Sequence, residues 1–264
     1  MLKKLLFFAL FVLYFQNVTA GIVILNGLSH TYKVENGKVY QGSLEIENTG
    51  TAPQNVKIFL QDLNYTSDGT IQYSAPLSSS KSNAKWIKIN TNLLTLKGKE
   101  KTVVRYEITV PQSVAGSGSF WSVIMVEPVD DIKPSDKQAG INITSIVRYA
   151  VQIITDYKSE DAKPEFKFEK VRVDSQDKKK ILKIAIANTG NLFTKAIASV
   201  EIYNSKNGEK LGTFSSQALG LLPGTSKTFD IDISKMAASK YAAVVLATDE
   251  DDNAFALNVE LDVK

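Results

Sequence analysis

The chain has no cysteine and one histidine, His30, and these two scarcities remove much of the chemistry that 264 residues could otherwise carry. Without thiols there are no disulfides, no cysteine nucleophile and no cysteine-held zinc. With one imidazole, a Ser-His-Asp triad or a multi-histidine metal centre has at most one base or ligand. No segment of the first half carries a convincing 3.6-residue apolar stripe, so amphipathic helices are missing there. Gly116-Ser117-Gly118-Ser119 lacks the G-x-S-x-G spacing of a nucleophile elbow and reads as a loop before an apolar strand. In the acidic run Asp249-Glu250-Asp251-Asp252-Asn253, Ala254 stands where a calcium loop needs glycine. That excludes an EF-hand and leaves a solvated turn or a weak calcium site. We expect a non-enzymatic protein with no cofactor and no metal centre.

Strong charge of either sign is also lacking. The formal net charge is +3, and Lys3 and Lys4 lie in a stretch, Met1–Ala20, that contains no acid. This stretch reads as a cleavable export signal, with the apolar run Leu5–Phe15 followed by Val18-Thr19-Ala20 and Gly21. Removing it lowers the charge to +1, so nucleic-acid binding is not implied. The apolar run is short for a membrane span, and no second long run follows. A Lys-rich, Asn-rich, cysteine-free product of this kind has a bacterial style, and its expected place is the periplasm, the medium or the cell surface.

What the chain does have is alternation, interrupted twice by the same corner. Leu44 and Ile46 alternate with polar neighbours into Asn48-Thr49-Gly50, and Leu182, Ile184 and Ile186 do so into Asn188-Thr189-Gly190. Period-two patterning marks strands with one buried face. Asn and Gly accept a positive φ cheaply, so the corner reads as a fold signal. A second landmark, G-x-x-K-T, recurs at Gly98 and at Gly224. The spacing between the landmarks is longer in the first copy, and the excess falls in Asn64–Lys85, a loop-rich excursion around one short hairpin. That insertion is therefore a functional suspect, with Tyr65 and Tyr73 as candidate partner contacts. Trp86 at a following strand start reads as core.

The repeat predicts an all-β chain of two tandem immunoglobulin-like sandwiches, at residues 21–157 and 165–264, with a linker over 158–164 (KSEDAKP). About seven strands are expected in the first. Phe120–Val126 is apolar on both faces, as in a central strand. Ile141–Ile154 reads as one long strand, and Ser234–Lys240 as a short helical turn.

Gly42–Gly50 (GSLEIENTG), Trp86–Ile89, Leu94–Gly98, the strand ending at Pro111, and Gly118–Ile124 follow the order of the periplasmic pilus-chaperone family, which the chain resembles over about residues 21–157. More distantly it resembles bacterial tandem immunoglobulin-like surface proteins that interact with WxL-type wall proteins. The first resemblance implies a chaperone-like protein that assists assembly of surface structures by strand addition to another exported protein, such as a pilin-like subunit. It makes Ala139, Ile141 and Ile143 donor residues and gives Arg148 the grip on a terminal carboxylate. The same apolar side chains read equally well as facing their own core. The family's other anchor, an arginine on the first strand, aligns with Tyr32, and the neighbouring base Lys33 belongs to the opposite face. Two other readings stay open: a structural or adhesive surface component, and a carbohydrate- or wall-binding module.

Overall fold

In the computed structural model, residues 21–129, 146–176 and 179–264 are described. Their alternating segments become strands throughout. In chain order the first half contains β1 (Ile22–Ile24), β2 (Ser29–Val34), β3 (Val39–Asn48), β4 (Gln54–Tyr65), β5 (Ile71–Ser74), β6 (Ile87–Ile89), β7 (Leu93–Leu96), β8 (Lys101–Thr109), β9 (Gly118–Val129) and β10 (Tyr149–Tyr157). The second half contains β11 (Phe166–Gln176), β12 (Lys179–Asn188), β13 (Thr194–Asn204), β14 (Lys210–Ser215), β15 (Leu219–Leu221), β16 (Ser226–Asp232), β17 (Ser239–Thr248) and β18 (Ala254–Val263).

The first sandwich faces the sheet β1-β3-β8-β6 against the sheet β2-β10-β9-β4-β5, with β7 also on β4. The second faces β11-β12-β16 against β14-β13-β17-β18, with β15 on β13. Among the described residues no sheet mixes strands of the two halves, and the immunoglobulin-like architecture read from alternation is the one observed. Among the described residues the first sandwich has ten strands rather than about seven, with short pieces such as β1, β5, β6 and β7 adding to the count.

The repeated corner is the same object twice. Asn48 and Asn188 are both buried, each at the end of a strand that pairs with the sheet's first strand. The Asn48 Nδ2 donates to the carbonyls of Ala52 (2.8 Å) and Leu96 (3.2 Å), and its Oδ1 accepts from the Gly50 N–H (2.9 Å). Asn188 repeats each bond, to Leu192 (2.8 Å), to Leu221 (3.1 Å) and from Gly190 (3.0 Å). The amide thus closes the corner and ties it across to the opposite side of the sandwich. The glycine's role differs from the expected one. Gly190 is absent from the positive-φ residues, and a Cβ there would meet the Lys163 carbonyl oxygen at 2.3 Å, so close approach is what it allows.

Core packing follows the alternation. Leu44, Ile46, Val104, Tyr106, Ile108, Ile124, Val151 and Ile153 close the first sandwich. Leu182, Ile184, Val200, Phe229 and Val245 close the second. On β9 the residues between the core positions, Trp121, Val123 and Met125, are buried as well, and belong with Leu63 and Ile154 to the cluster that runs on into the second sandwich. Burying such side chains fully stabilises by about 1.5–3 kcal/mol each. The double-sided apolarity of β9 therefore records a sheet buried on both faces.

Three expectations need correction. The long strand over Ile141–Ile154 is replaced by β10, which begins at Tyr149; Ile146–Arg148 are not strand, and Val147 is 61% exposed. Positions 141–145 lie outside the described residues. Gly118 and Ser119 belong to β9 rather than to a preceding loop, and Ser119 is buried. Within Ser234–Lys240, residues 234–238 form turns and bends rather than a helical turn, and Ser239 and Lys240 already belong to β17. The segment 158–164 carries a single 3-10 turn, Ser159–Asp161.

Candidate functional site

Among the described residues two hydrogen-bonded points join the sandwiches, and the first is the insertion itself. Tyr65, expected as a loop contact, ends β4 with only 6% of its surface exposed. Its hydroxyl donates to the Gly220 carbonyl (3.1 Å) and accepts from the Leu222 N–H (2.9 Å) of the second sandwich. Two residues past the strand end, the hairpin tip adds the Ser67 N–H to the Ser226 hydroxyl (2.9 Å) and the Thr228 hydroxyl to the Ser67 carbonyl (2.7 Å). Tyr65 is a docking residue because an apolar ring with one polar tip suits an interface that must hide the ring and still bond the hydroxyl.

At the second point, the loop after the second corner meets the start of β9. Ser119 donates its amide to the Asn191 carbonyl (2.8 Å), and its hydroxyl accepts from the Phe193 N–H (2.7 Å) while donating to the Asp156 carboxylate (2.5 Å). Burial pushes the Asp156 carboxyl above its ordinary range, opposed by the Ser119 bond and the Lys33 charge. Gly118 adopts φ +101°, and a Cβ there would lie 2.0 Å from the Asn191 carbonyl oxygen. The backbone of the two sandwiches touches here, which only glycine permits.

The rest of the insertion is pinned rather than offered. The Asp62 carboxylate accepts from the Ser79 N–H (3.0 Å) and the Ser82 hydroxyl (2.6 Å). Fully buried Asn83 donates to the carbonyls of Phe120 and Ile153. Trp86 is core, packed 5.1 Å from Phe120. β5 stays open to solvent, with Ile71 61% and Tyr73 38% exposed, and so do residues 75–80, Leu77 among them. Tyr73 is thus open to solvent, whereas Tyr65 is buried.

The strand-addition residues separate into two groups. Ala139, Ile141 and Ile143 lie outside the described residues. Arg148 stands just before β10, 56% exposed, with its guanidinium 3.6 Å from Glu127. On β2 the half-buried Tyr32 turns inward, its hydroxyl 2.8 Å from that of Tyr106, which also meets His30 Nδ1 at 2.8 Å. Lys33 faces out beside Asp156, its register partner on β10. Lys33, not Tyr32, is therefore the base on the side where the sandwiches meet. Arg148 and Lys33 stand at opposite ends of β10, roughly 26 Å apart at about 3.3 Å per residue, too far to grip one carboxylate.

The β10 backbone itself is more informative. On one side it pairs along its whole length with β9; on the other, β2 runs parallel to it only from Gln152 to Tyr157. The Gln152 N–H donates to the Leu28 carbonyl (2.9 Å), which fixes the direction of the even-numbered peptide groups. Because N–H and C=O alternate sides along a strand, those of Ala150 point to the edge that β2 leaves uncovered. Among the described residues no strand pairs with that edge before Gln152. An uncovered stretch of strand is a template for another chain.

The remaining chemical candidates are turns. The Asp249 carboxylate accepts from the Asp251 N–H, the Asn253 N–H and the Asn253 side-chain amide, at 2.9–3.0 Å. The acidic run thus satisfies itself, and among the described residues no cluster of three or more metal-binding side chains occurs. Nor is any helix among them long and apolar enough to cross a membrane.

Compared with known proteins, residues 138–264 match the model of the family described as WxL Interacting Protein, host binding domain. No curated protein matches the chain. Solved structures that it is similar to include fimbrial chaperones. One comes from a study of a chaperone-tip adhesin complex in CFA/I fimbriae biogenesis, with 13% identity, 90% of this chain and 98% of that one covered, and a TM-score of 0.48. The class 5 fimbriae chaperone CfaA follows at 12% identity, 90% and 98% coverage and a TM-score of 0.46. A chaperone and tip-subunit pre-assembly complex of the archaic Csu pili of Acinetobacter baumannii gives 17% identity, 93% and 100% coverage and a TM-score of 0.45. Both resemblances read from the sequence, to pilus chaperones and to WxL-interacting proteins, are met in these comparisons.

Proposed function

We propose that the protein is an exported, non-enzymatic binding protein of the cell envelope that takes up an extended segment of another exported or surface protein along the open edge of β10. The observation that carries this reading is the edge left by β2 before Gln152, where the Ala150 peptide group points outward. Backbone hydrogen bonds to an added strand supply affinity, and side chains on alternate positions supply selectivity. Support also comes from the match to the WxL-interacting family, which begins at residue 138 and so takes in the approach to β10 as well as the second sandwich. In this reading Ala139, Ile141 and Ile143 keep the donor role that the pilus-chaperone resemblance implies, and Arg148, just before β10, flanks the edge. Assistance in assembling surface structures, chaperone-like, is the corresponding role.

A second reading, a structural spacer of the cell surface, is favoured by the two-point docking through Tyr65, Ser67 and Ser119. Ala150→Pro distinguishes them. Proline removes the outward N–H yet is tolerated where no strand pairs. The tagged chain, its Ala150→Pro variant and its Arg148→Ala variant are used to recover partners from envelope extracts. Strand addition expects a partner that is recovered by the parent, lost with Ala150→Pro, and degraded in cells lacking the chain. Equal recovery by parent and Ala150→Pro refutes it.

A further inference from the structure

The antiparallel register of β4 and β5 sets Leu63 opposite Tyr73 and Tyr65 opposite Ile71. These four side chains form one apolar face that continues beside the second sandwich. Between them and β16 lies a cavity of about 320 Å³, lined also by Gln152, Lys227 and Thr228. Its walls combine these apolar side chains with the polar Thr66, Ser67, Gln152 and Thr228, Ile71 and Tyr73 are its exposed members, and Lys227 is the one charged residue in the lining. The Lys227 ammonium sits 4.5 Å from the centre of the Tyr65 ring.

Among the described residues Lys227 forms no ion pair. The acids around the hairpin are engaged elsewhere. Asp68 accepts from the Thr66 hydroxyl and the Thr70 N–H, and Glu169 accepts from the Ser67 hydroxyl. Burial holds the Lys227 ammonium below its ordinary range. A half-buried cation with an aromatic face but no counter-charge is held at a desolvation cost that an entering anion would offset. A pocket with an apolar face and a single charged anchor is the usual form of a site for an amphipathic ligand.

We infer that this pocket binds an amphipathic carboxylate, with the carboxylate on Lys227 and an aromatic or branched apolar group against Tyr73, Ile71 and Leu63. The site shares Gln152 with β10 but its anchor is Lys227 of β16, and it does not depend on strand addition. Its ligand has two sources, a free organic acid or the terminus of a polypeptide ending in an apolar residue.

Titration of the full chain with phenylacetate and with neutral phenylacetamide, followed by amide chemical shifts of Ile71, Tyr73 and Lys227, tests the inference. Phenylacetate is expected to bind at least about tenfold more tightly than the amide, the discrimination typical of a charge-assisted hydrogen bond. Lys227→Gln should abolish that preference and Lys227→Arg should keep it. A second pair of probes, a short peptide ending in phenylalanine with a free carboxylate and the same peptide amidated, separates the sources. Tighter binding of the free-acid peptide than of phenylacetate assigns the site to a polypeptide terminus, and the reverse assigns it to a small acid. Equal binding of phenylacetate and phenylacetamide, absence of binding by all four probes, or an unchanged preference in Lys227→Gln overturns the inference. If Lys227→Gln does not fold, the acid-to-amide comparison on the parent decides alone.

Discussion

Replacing Asn188 by alanine should unlock the second sandwich at its corner. The fully buried side chain makes two donations, to the Leu192 and Leu221 carbonyls, and accepts from the Gly190 and Glu165 amides at 3.0 and 3.3 Å. Alanine leaves those backbone groups without partners in a site that water cannot readily fill. At about 1 kcal/mol net per bond, rising to 1–3 kcal/mol for each group left buried and unsatisfied, the expected loss is about 3–5 kcal/mol. With a urea slope of about 1–3 kcal/mol per molar, the midpoint should fall by roughly 1–5 M. Trp86 lies in the first core and Trp121 on the face continuous with the second sandwich, so tryptophan fluorescence is weighted towards the first sandwich while far-UV circular dichroism follows the whole chain. Asn48→Ala should shift the fluorescence transition, and Asn188→Ala should shift the dichroism transition more than the fluorescence. A loss below about 1 kcal/mol in either variant refutes the view that these amides hold the corners.

Three further outcomes follow from the docking geometry. Tyr65→Phe keeps the ring but strands the Leu222 N–H; it should cost about 1–3 kcal/mol and raise protease sensitivity between the sandwiches, and unchanged sensitivity contradicts the clamp. Gly118→Ala drives a methyl into the Asn191 carbonyl and should loosen the domain pair, seen as a larger radius in small-angle scattering; an identical profile argues against contact at that point. Asp156 is raised by burial, so the folded protein holds its proton more tightly than the unfolded chain does. Between the ordinary carboxyl range and the raised value, stability therefore falls as pH rises, then levels off above it. The stability of Asp156→Asn minus that of the parent should grow with pH across that window, and a constant difference excludes Asp156 as a source of pH dependence.

The architecture was legible because its signals are local. A strand's burial pattern is written at every second residue, and the Asn-Thr-Gly corner depends on its own amide, so two copies in the sequence became two superposable hydrogen-bond sets. Tyr65 was misplaced for the opposite reason. Its partners, Gly220 and Leu222, lie far along the chain, and nothing near Tyr65 distinguishes a ring bound for a neighbouring sandwich from one left in a loop. The β9 apolarity was read as central-strand burial, although half of it belongs to the face continuous with the second sandwich. On β2, alternation separated Tyr32 from Lys33, but the side facing the second sandwich is set by the parallel pairing with β10. The extent of β10 was overestimated, since a run of alternating residues does not reveal where a partner strand stops. That stopping point, before Gln152, is what exposes the edge on which the functional reading rests.

Amide hydrogen exchange at Ala150 in the isolated chain tests that edge most directly. If the edge is open, the Ala150 N–H exchanges at least about a hundredfold faster than those of Val151 and Ile153, which point towards β9, and it slows when a partner segment is added. Protection of Ala150 equal to that of Val151 in the isolated chain would mean that the edge is already covered, and would contradict strand addition at β10.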